Sequence, residues 1–255
     1  MSFLNHFMPA KVRKLFGISI NNDGFSAKYL QHSDFLPIFA DEIYGRKGNI
    51  ILKQLMKTQN SSGVTIEEYR LFVVSLSHGN NGEGINRTFL NSDKEKALVV
   101  LVELFKSAKN SVRIFAANLC NYVGTEPEYI EALSDFIEKG GEVKILLNNF
   151  AEENVRNSKL FKRLAYYKSE GKNIVVKKTA VKPYYVGDEN KNEVHFTIAD
   201  DKGYRIETDV EKRTARCNFN NPDEAKSTAE FFDKVFENPE SSEIDLLTVF
   251  GYGAQ

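Results

Sequence analysis

Glu193 and His195 stand two residues apart in Glu193-Val194-His195-Phe196-Thr197-Ile198-Ala199, a stretch that reads as a strand. Residues two apart on a strand share a face, so this carboxylate and imidazole can pair. Glu193 would then orient His195. The imidazole, with an ordinary pKa of about 6.5, would act as base or proton carrier, or bind phosphate once charged. The same two residues also fit a plainer role as polar neighbours on a sheet edge, and the sequence leaves both readings open. Just downstream, Asp200, Asp201, Glu207 and Asp209 form an acidic cluster around the hairpin turn Asp200-Asp201-Lys202-Gly203. A solvated turn explains that cluster more simply than a divalent cation does. His6, His32, His78 and His195 show no metal-ligand spacing with cysteine or carboxylate, so the expectation is no metal and no cofactor. The Gly79–Gly84 stretch is glycine-rich but lacks the lysine and hydroxyl of a phosphate loop.

A second pattern joins charge to aromatic rings. Lys159, Lys162, Arg163, Lys168, Lys172, Lys177, Lys178 and Lys182 interleave with Phe161, Tyr166, Tyr167, Tyr184 and Tyr185. Cations beside aromatic faces are what a single-stranded nucleic-acid groove uses; a solvated helix face over core aromatics gives the same pattern. Arg213 and Arg216, near or on a later strand, are candidates to face the Glu193–His195 pair. The candidate ligand-binding set is therefore Lys162, Lys177, Lys178, Arg213 and Arg216.

The elements that must position these groups are legible in the apolar rhythm. Thr65-Ile66-Glu67-Glu68 and Ser92-Asp93-Lys94-Glu95 are capping boxes that open helices, the second over 93–109. Val112–Ala117, Val143–Leu147 and Ile174–Lys177 read as strands, separated by helices over 126–138 and 152–169. Helices alternating with strands favour a parallel sheet. The rhythm then shifts to the short strands Val194–Ala199, Tyr204–Thr208 and Ala215–Phe219 on tight turns, which read as antiparallel, and a closing helix covers 223–236. Residues 1–90 are expected to be an N-terminal arm and helical region, with an amphipathic stretch from Phe3 to Phe16, a turn at Asn21–Gly24 and a helix over 34–57. The boundary is placed at the loop His78–Gly84. Residues 91–238 form the α/β domain, and 239–255 a tail docked on the body or on a partner.

Composition narrows the class. Of 255 residues, 42% are hydrophobic and 27% charged, as in a globular protein rather than a disordered one. Lys+Arg 34 against Asp+Glu 35 gives a net charge of -1, so no global positive field demands nucleic acid or an anionic membrane. Two distant cysteines, Cys120 and Cys217, make no disulfide scaffold and read as free thiols in a reducing compartment. The first residues lack the apolar core and cleavage site of a secretory signal, and no apolar run is long enough to span a membrane. A cytoplasmic protein is the expectation.

The order of elements over 93–237 resembles one half of the phospholipase D-like superfamily. The residues that carry the likeness are Ser111–Asn118, Lys139–Leu147, Glu193–Lys202 and Asn220–Phe236. The resemblance implies an α/β fold: a mixed sheet, parallel strands then antiparallel hairpins, flanked by helices. Active members carry H-x-K-x4-D followed by G-S-x-N. Their histidine attacks phosphorus, their lysine stabilises the developing charge, and a second histidine from another half protonates the leaving group. This chain departs from that pattern. In one register Glu193 takes the nucleophile slot, His195 the lysine slot, Asp200 the aspartate slot, and Glu207-Thr208 the G-S position. Counting from His195 as nucleophile puts Thr197 in the lysine slot and Lys202 in the aspartate slot. Neither register restores the motif, and there is no second copy. The expected function is a divergent, non-hydrolytic module that binds a phosphate-containing ligand, nucleic acid or a partner protein, with a bacterial defence or regulatory setting guessed by resemblance. The alternative is an active phosphodiesterase or nuclease with a rewired centre of Glu193, His195 and Asp200. The family habit of pairing two halves implies a homodimer or larger complex.

Overall fold

The computed structural model describes residues 18–21, 24–27, 64–79, 82–184, 191–209 and 214–252. The chain divides into two compact units, Met1–Thr58 and Gln59–Gln255. In the first, β1 (Ile18–Asn21) and β2 (Gly24–Ala27) pair antiparallel across the expected turn. The amphipathic stretch from Phe3 to Phe16 and the helix expected over 34–57 lie outside the described residues.

The second unit opens with α1 (Ile66–His78), closed at its start by the Thr65/Glu68 capping box that the sequence shows. Tyr69, Phe72, Val73 and Leu76 of α1 are buried. The division between units therefore falls before α1, not at the glycine-rich loop after it: a helix this apolar has to pack on the domain that follows. A short strand, β3 (Phe89–Asn91), leads into α2 (Lys94–Ser107). Asp93 rather than Ser92 caps α2, its Oδ1 accepting from the Lys96 amide at 2.8 Å. Then come β4 (Ser111–Ala116), a 3-10 turn at Tyr122–Thr125, α3 (Pro127–Glu138) and β5 (Glu142–Leu147). The helix expected over 152–169 is two helices, α4 (Glu152–Arg156) and α5 (Lys159–Ser169). Ser158 separates them because its hydroxyl caps α5, accepting from the Phe161 amide. β6 (Ile174–Lys178) precedes the antiparallel strands β7 (Phe196–Ala199), β8 (Gly203–Asp209) and β9 (Thr214–Asn218). The chain closes with α6 (Pro222–Phe236), β10 (Ser242–Glu243) and α7 (Leu246–Phe250).

One eight-stranded sheet results, in the order β10-β6-β5-β4-β7-β8-β9-β3. β4, β5 and β6 are parallel, and every other pairing is antiparallel. Parallel strands need cover on both faces, and two cores supply it. On one face Val112, Ile114, Val143, Ile145 and Val176 pack with Phe105, Tyr129, Phe136 and Phe161 of α2, α3 and α5. On the other, Phe115, Leu146, Phe196, Ile198 and Ile206 meet Ala225, Ala229 and Phe232 of α6. The tail belongs to the domain: Ile244 and Leu246 are buried in the first core, and the Ile244 amide donates to the Val176 carbonyl at 2.8 Å.

The β7–β8 turn fastens the sheet to the start of β4. Asp200 and Asp201 both adopt positive φ. Asp200 accepts from the backbone amides of Lys109 (2.6 Å), Asn110 (2.7 Å) and Ser111 (2.9 Å). Asp201 holds Arg113, which also pairs with Asp233 of α6. Charged hydrogen bonds of this kind contribute about 1.5–3 kcal/mol each, less where solvent reaches them. Asp200→Ala should therefore lower stability by about 2–3 kcal/mol, read as an earlier midpoint in urea. A midpoint unchanged from wild type would show that the three amides find other acceptors.

Candidate functional site

The sheet changes direction between β4 and β7, since β4 runs parallel to β5 on one side and antiparallel to β7 on the other. At such a reversal the connections diverge and leave a crevice at the carboxyl end of the strand. A chamber of about 160 Å³ lies there. Ala117, Asn118 and Tyr122, which follow β4, form one wall; His195, Thr197, Arg205 and Glu207 form the other. Strand register brings the second group together. Ile114 of the first core is opposite Thr197, and Thr197 is opposite Arg205. Two positions further along, past Phe196 opposite Ile206, the Glu207 amide donates to the His195 carbonyl at 2.8 Å. His195, Thr197, Arg205 and Glu207 consequently share the face covered by α2 and α3.

These side chains form a continuous polar chain across the sheet. Asn148, just past β5, donates from Nδ2 to Glu193 Oε1 at 2.7 Å. The same oxygen lies 2.9 Å from His195 Nε2. His195 Nδ1 lies 3.3 Å from Glu207 Oε2, a charge contact without hydrogen-bond alignment. Glu207 Oε1 accepts from Arg205 Nη1 at 3.1 Å, and Arg205 Nε donates to Asn91 Oδ1 of β3 at 3.0 Å. Arg205 is 5% exposed and Glu207 4%. Lys182, well exposed, stands 3.9 Å from Glu193 Oε2.

Burial disfavours a charged His195, but contact with Glu207 and then with Glu193 outweighs it, and the imidazole pKa is raised from its ordinary 6.5. Burial likewise opposes ionisation of the two carboxylates. Asn148 and His195 overcome it at Glu193, and His195 and Arg205 overcome it at Glu207, so both are lowered from 4.5. These shifts favour a charged ring between two carboxylates. In that form both ring nitrogens carry protons, and neither offers a lone pair to attack phosphorus.

The structure brings Glu193 and His195 together and separates them from the other candidates. Asp200 sits at the opposite end of β7, five residues and about 16 Å from His195 at roughly 3.3 Å per residue, where its carboxylate binds backbone amides. The rewired Glu193/His195/Asp200 centre is therefore not assembled. Arg216 is opposite Ile206 and so lies on the α6 face of the sheet, bonded to Glu224. Lys177 is on that face too, donating to the Phe236 carbonyl at 2.7 Å with its ammonium 4.4 Å from the Phe236 ring. Lys178 lies near the Phe150 ring, Lys162 is exposed on α5, and Arg213 and Tyr185 lie outside the described residues. The four described cations thus do not gather around His195. Sequence reasoning missed Arg205, Asn148 and Asn91 as partners, and placed Glu207 in the hairpin cluster and in the G-S position without pairing it with His195. The available signal was in β8, where Arg205 and Glu207 alternate with Tyr204 and Ile206 in a strand otherwise fit for burial. Among the described residues, no group of three His, Cys, Asp or Glu is placed to hold a metal ion, and no helix is long and apolar enough to cross a membrane.

Order of elements and sheet direction define an α/β domain on one mixed sheet, parallel at β4–β6 and antiparallel elsewhere. Over residues 93–245 the chain matches the model of a family described as a domain of unknown function, DUF7931, and it belongs to that family. No curated protein matches it. Among solved structures it is similar to a phospholipase D family member, Nuc from Salmonella typhimurium, at 16% identity and TM-score 0.45, covering 63% of this chain and 99% of that one. It is also similar to NucT from Helicobacter pylori, at 16% identity and TM-score 0.44, covering 63% and 100%. TrmBL2, an archaeal chromatin protein, covers more of this chain, 92% against 80% of its own, at 12% identity and TM-score 0.47. These likenesses are of fold alone.

The linked ionisations give stability a defined pH dependence. The raised pKa of His195 stabilises the fold fully below about pH 6.5, and this contribution is lost as pH rises through the folded value. The lowered pKa values of Glu193 and Glu207 stabilise it above about pH 4.5, and this is lost as pH falls through theirs. The difference in melting temperature between wild type and His195→Gln should therefore be largest between about pH 4.5 and 6.5 and shrink on either side. A difference independent of pH would refute the charged clamp. Arg205→Met leaves Glu207 buried with His195 alone and should cost about 3–5 kcal/mol. Arg205→Met with Glu207→Leu should recover part of that in urea denaturation; a purely additive loss would contradict the coupling.

Proposed function

We propose that this protein is a non-hydrolytic phospholipase D-like module that binds a phosphate-containing ligand. The observation that carries the reading is His195, held between Glu193, 2.9 Å from Nε2, and Glu207, in charge contact with Nδ1 at 3.3 Å. A nucleophilic imidazole needs a free nitrogen, and an attacked phosphodiester needs a site free of flanking negative charge. What is left suits binding. Arg205 and a charged His195 line the chamber against one carboxylate, Glu207, a surplus of one, and exposed Lys182 stands beside Glu193. A chamber of about 160 Å³ is below the roughly 300 Å³ at which small-molecule pockets begin, and fits a phosphate group better than a whole nucleotide. We place the protein in the cytoplasm, acting as a homodimer or in a larger complex with nucleic acid or a partner protein.

Bis(p-nitrophenyl) phosphate and labelled DNA and RNA, offered with and without divalent cations, should give no turnover above the blank for wild type or for His195→Ala. Turnover by wild type that disappears in His195→Ala would sink the non-hydrolytic reading and restore the phosphodiesterase alternative. Inorganic phosphate, titrated calorimetrically, should bind wild type and bind His195→Ala and Lys182→Ala more weakly. No phosphate binding by wild type would overturn the ligand half of the proposal.

A further inference from the structure

The face of α3, α5 and α7 carries a second recess, of about 520 Å³, within the range of roughly 300–1,000 Å³ for ligand pockets. Lys159, Lys162 and Arg163 of α5 line it, facing one carboxylate, Glu131. None of the three cations has an ion-pair partner among the described residues, whereas nearby Arg156 is paired with Glu152 and Lys168 with Glu243. Three positive charges against one negative leave a surplus of two, concentrated on a chain whose net charge is -1.

Two rings complete the recess. Tyr166 and Tyr252 each line it, and each is 43% exposed. They are two of only five large hydrophobic side chains exposed among the described residues, and they meet at one place. Tyr166 packs against the buried Tyr167 at 5.5 Å between centroids, and a ring so held loses little freedom on taking up a flat partner. The Tyr252 backbone is anchored, its amide donating to the Leu247 carbonyl at 2.8 Å after Gly251 ends α7 in the left-handed conformation.

The recess continues toward the His195 chamber. An intermediate hollow shares Thr125 and Lys159 with it and Asn118 and Asn121 with the chamber, and its own walls add Asn154 and Asn157. A track of amide groups thus joins the basic, aromatic end to the carboxyl end of β4. Cations for a backbone, rings for bases and amides for base edges and sugars are the chemistry of a single nucleic-acid strand.

We propose that single-stranded nucleic acid lies along this track, with a base on Tyr166 and Tyr252 and its phosphates at Lys159, Lys162 and Arg163. The inner end of the track rests on the phosphate-binding reading of the His195 chamber; the outer end stands on its own residues. The test is fluorescence anisotropy of labelled oligo-dT and oligo-U 20-mers titrated with the full chain. Binding should fall with salt at a log–log slope of about −2, as for three phosphates neutralised on a single strand. Tyr166→Ala and Tyr252→Ala should each weaken it about tenfold, and Lys162→Glu should weaken it and flatten the slope. Lys226→Glu and Lys234→Glu, on the α6 face, should leave it unchanged. No binding at low salt overturns the proposal, as does binding equally affected by the α6-face variants or indifferent to the two tyrosines. Calorimetric titration with inorganic phosphate on the same variants separates the two sites. Phosphate binding kept in Tyr166→Ala but lost in His195→Ala, with no oligonucleotide binding, overturns the track and leaves the chamber reading intact.

Discussion

Arg205 is a guanidinium buried within a sheet, and such a charge persists only if other groups answer it. Glu207 and Asn91 do so, and the consequences run outward from that pairing. Asn91 has to be present, which requires β3 to close the sheet beside β9. Glu207 has to be shared, which brings in His195. His195, once charged, calls for Glu193, and Glu193 is steadied by Asn148 at the end of β5. The arrangement crosses the point where the sheet reverses direction, the same place where the fold leaves a crevice. The site and the integrity of the sheet's centre are therefore one problem in electrostatics.

Much of the fold was legible because it rests on periodicity. Alternating helices and strands over 93–178 and the tighter rhythm over 194–219 gave the parallel and antiparallel halves, since each pattern records which faces are buried. Short elements were not legible. β3 has three residues and β10 two, too few to show a period. The break at Ser158 was hidden because the apolar spacing of α4 and α5 reads as one helix. At the site, Glu193 and His195 stood out through their spacing. Their partners did not, because Asn91, Asn148, Arg205 and Glu207 reach them through strand register and chain reversals that no local pattern encodes. Asp200 was misjudged for a related reason. An aspartate in a family slot looks chemical, but here its carboxylate anchors the start of β4.

The two margins of the sheet have a consequence for assembly. One outer strand offers two residues, β10, and the other three, β3. Main-chain pairing with another molecule would find only two or three rungs on either side, too short a ladder to hold a join in water. Growth of this sheet by backbone pairing along β10 or β3 is thereby disfavoured, and a partner on those margins would be selected by side chains rather than by backbone.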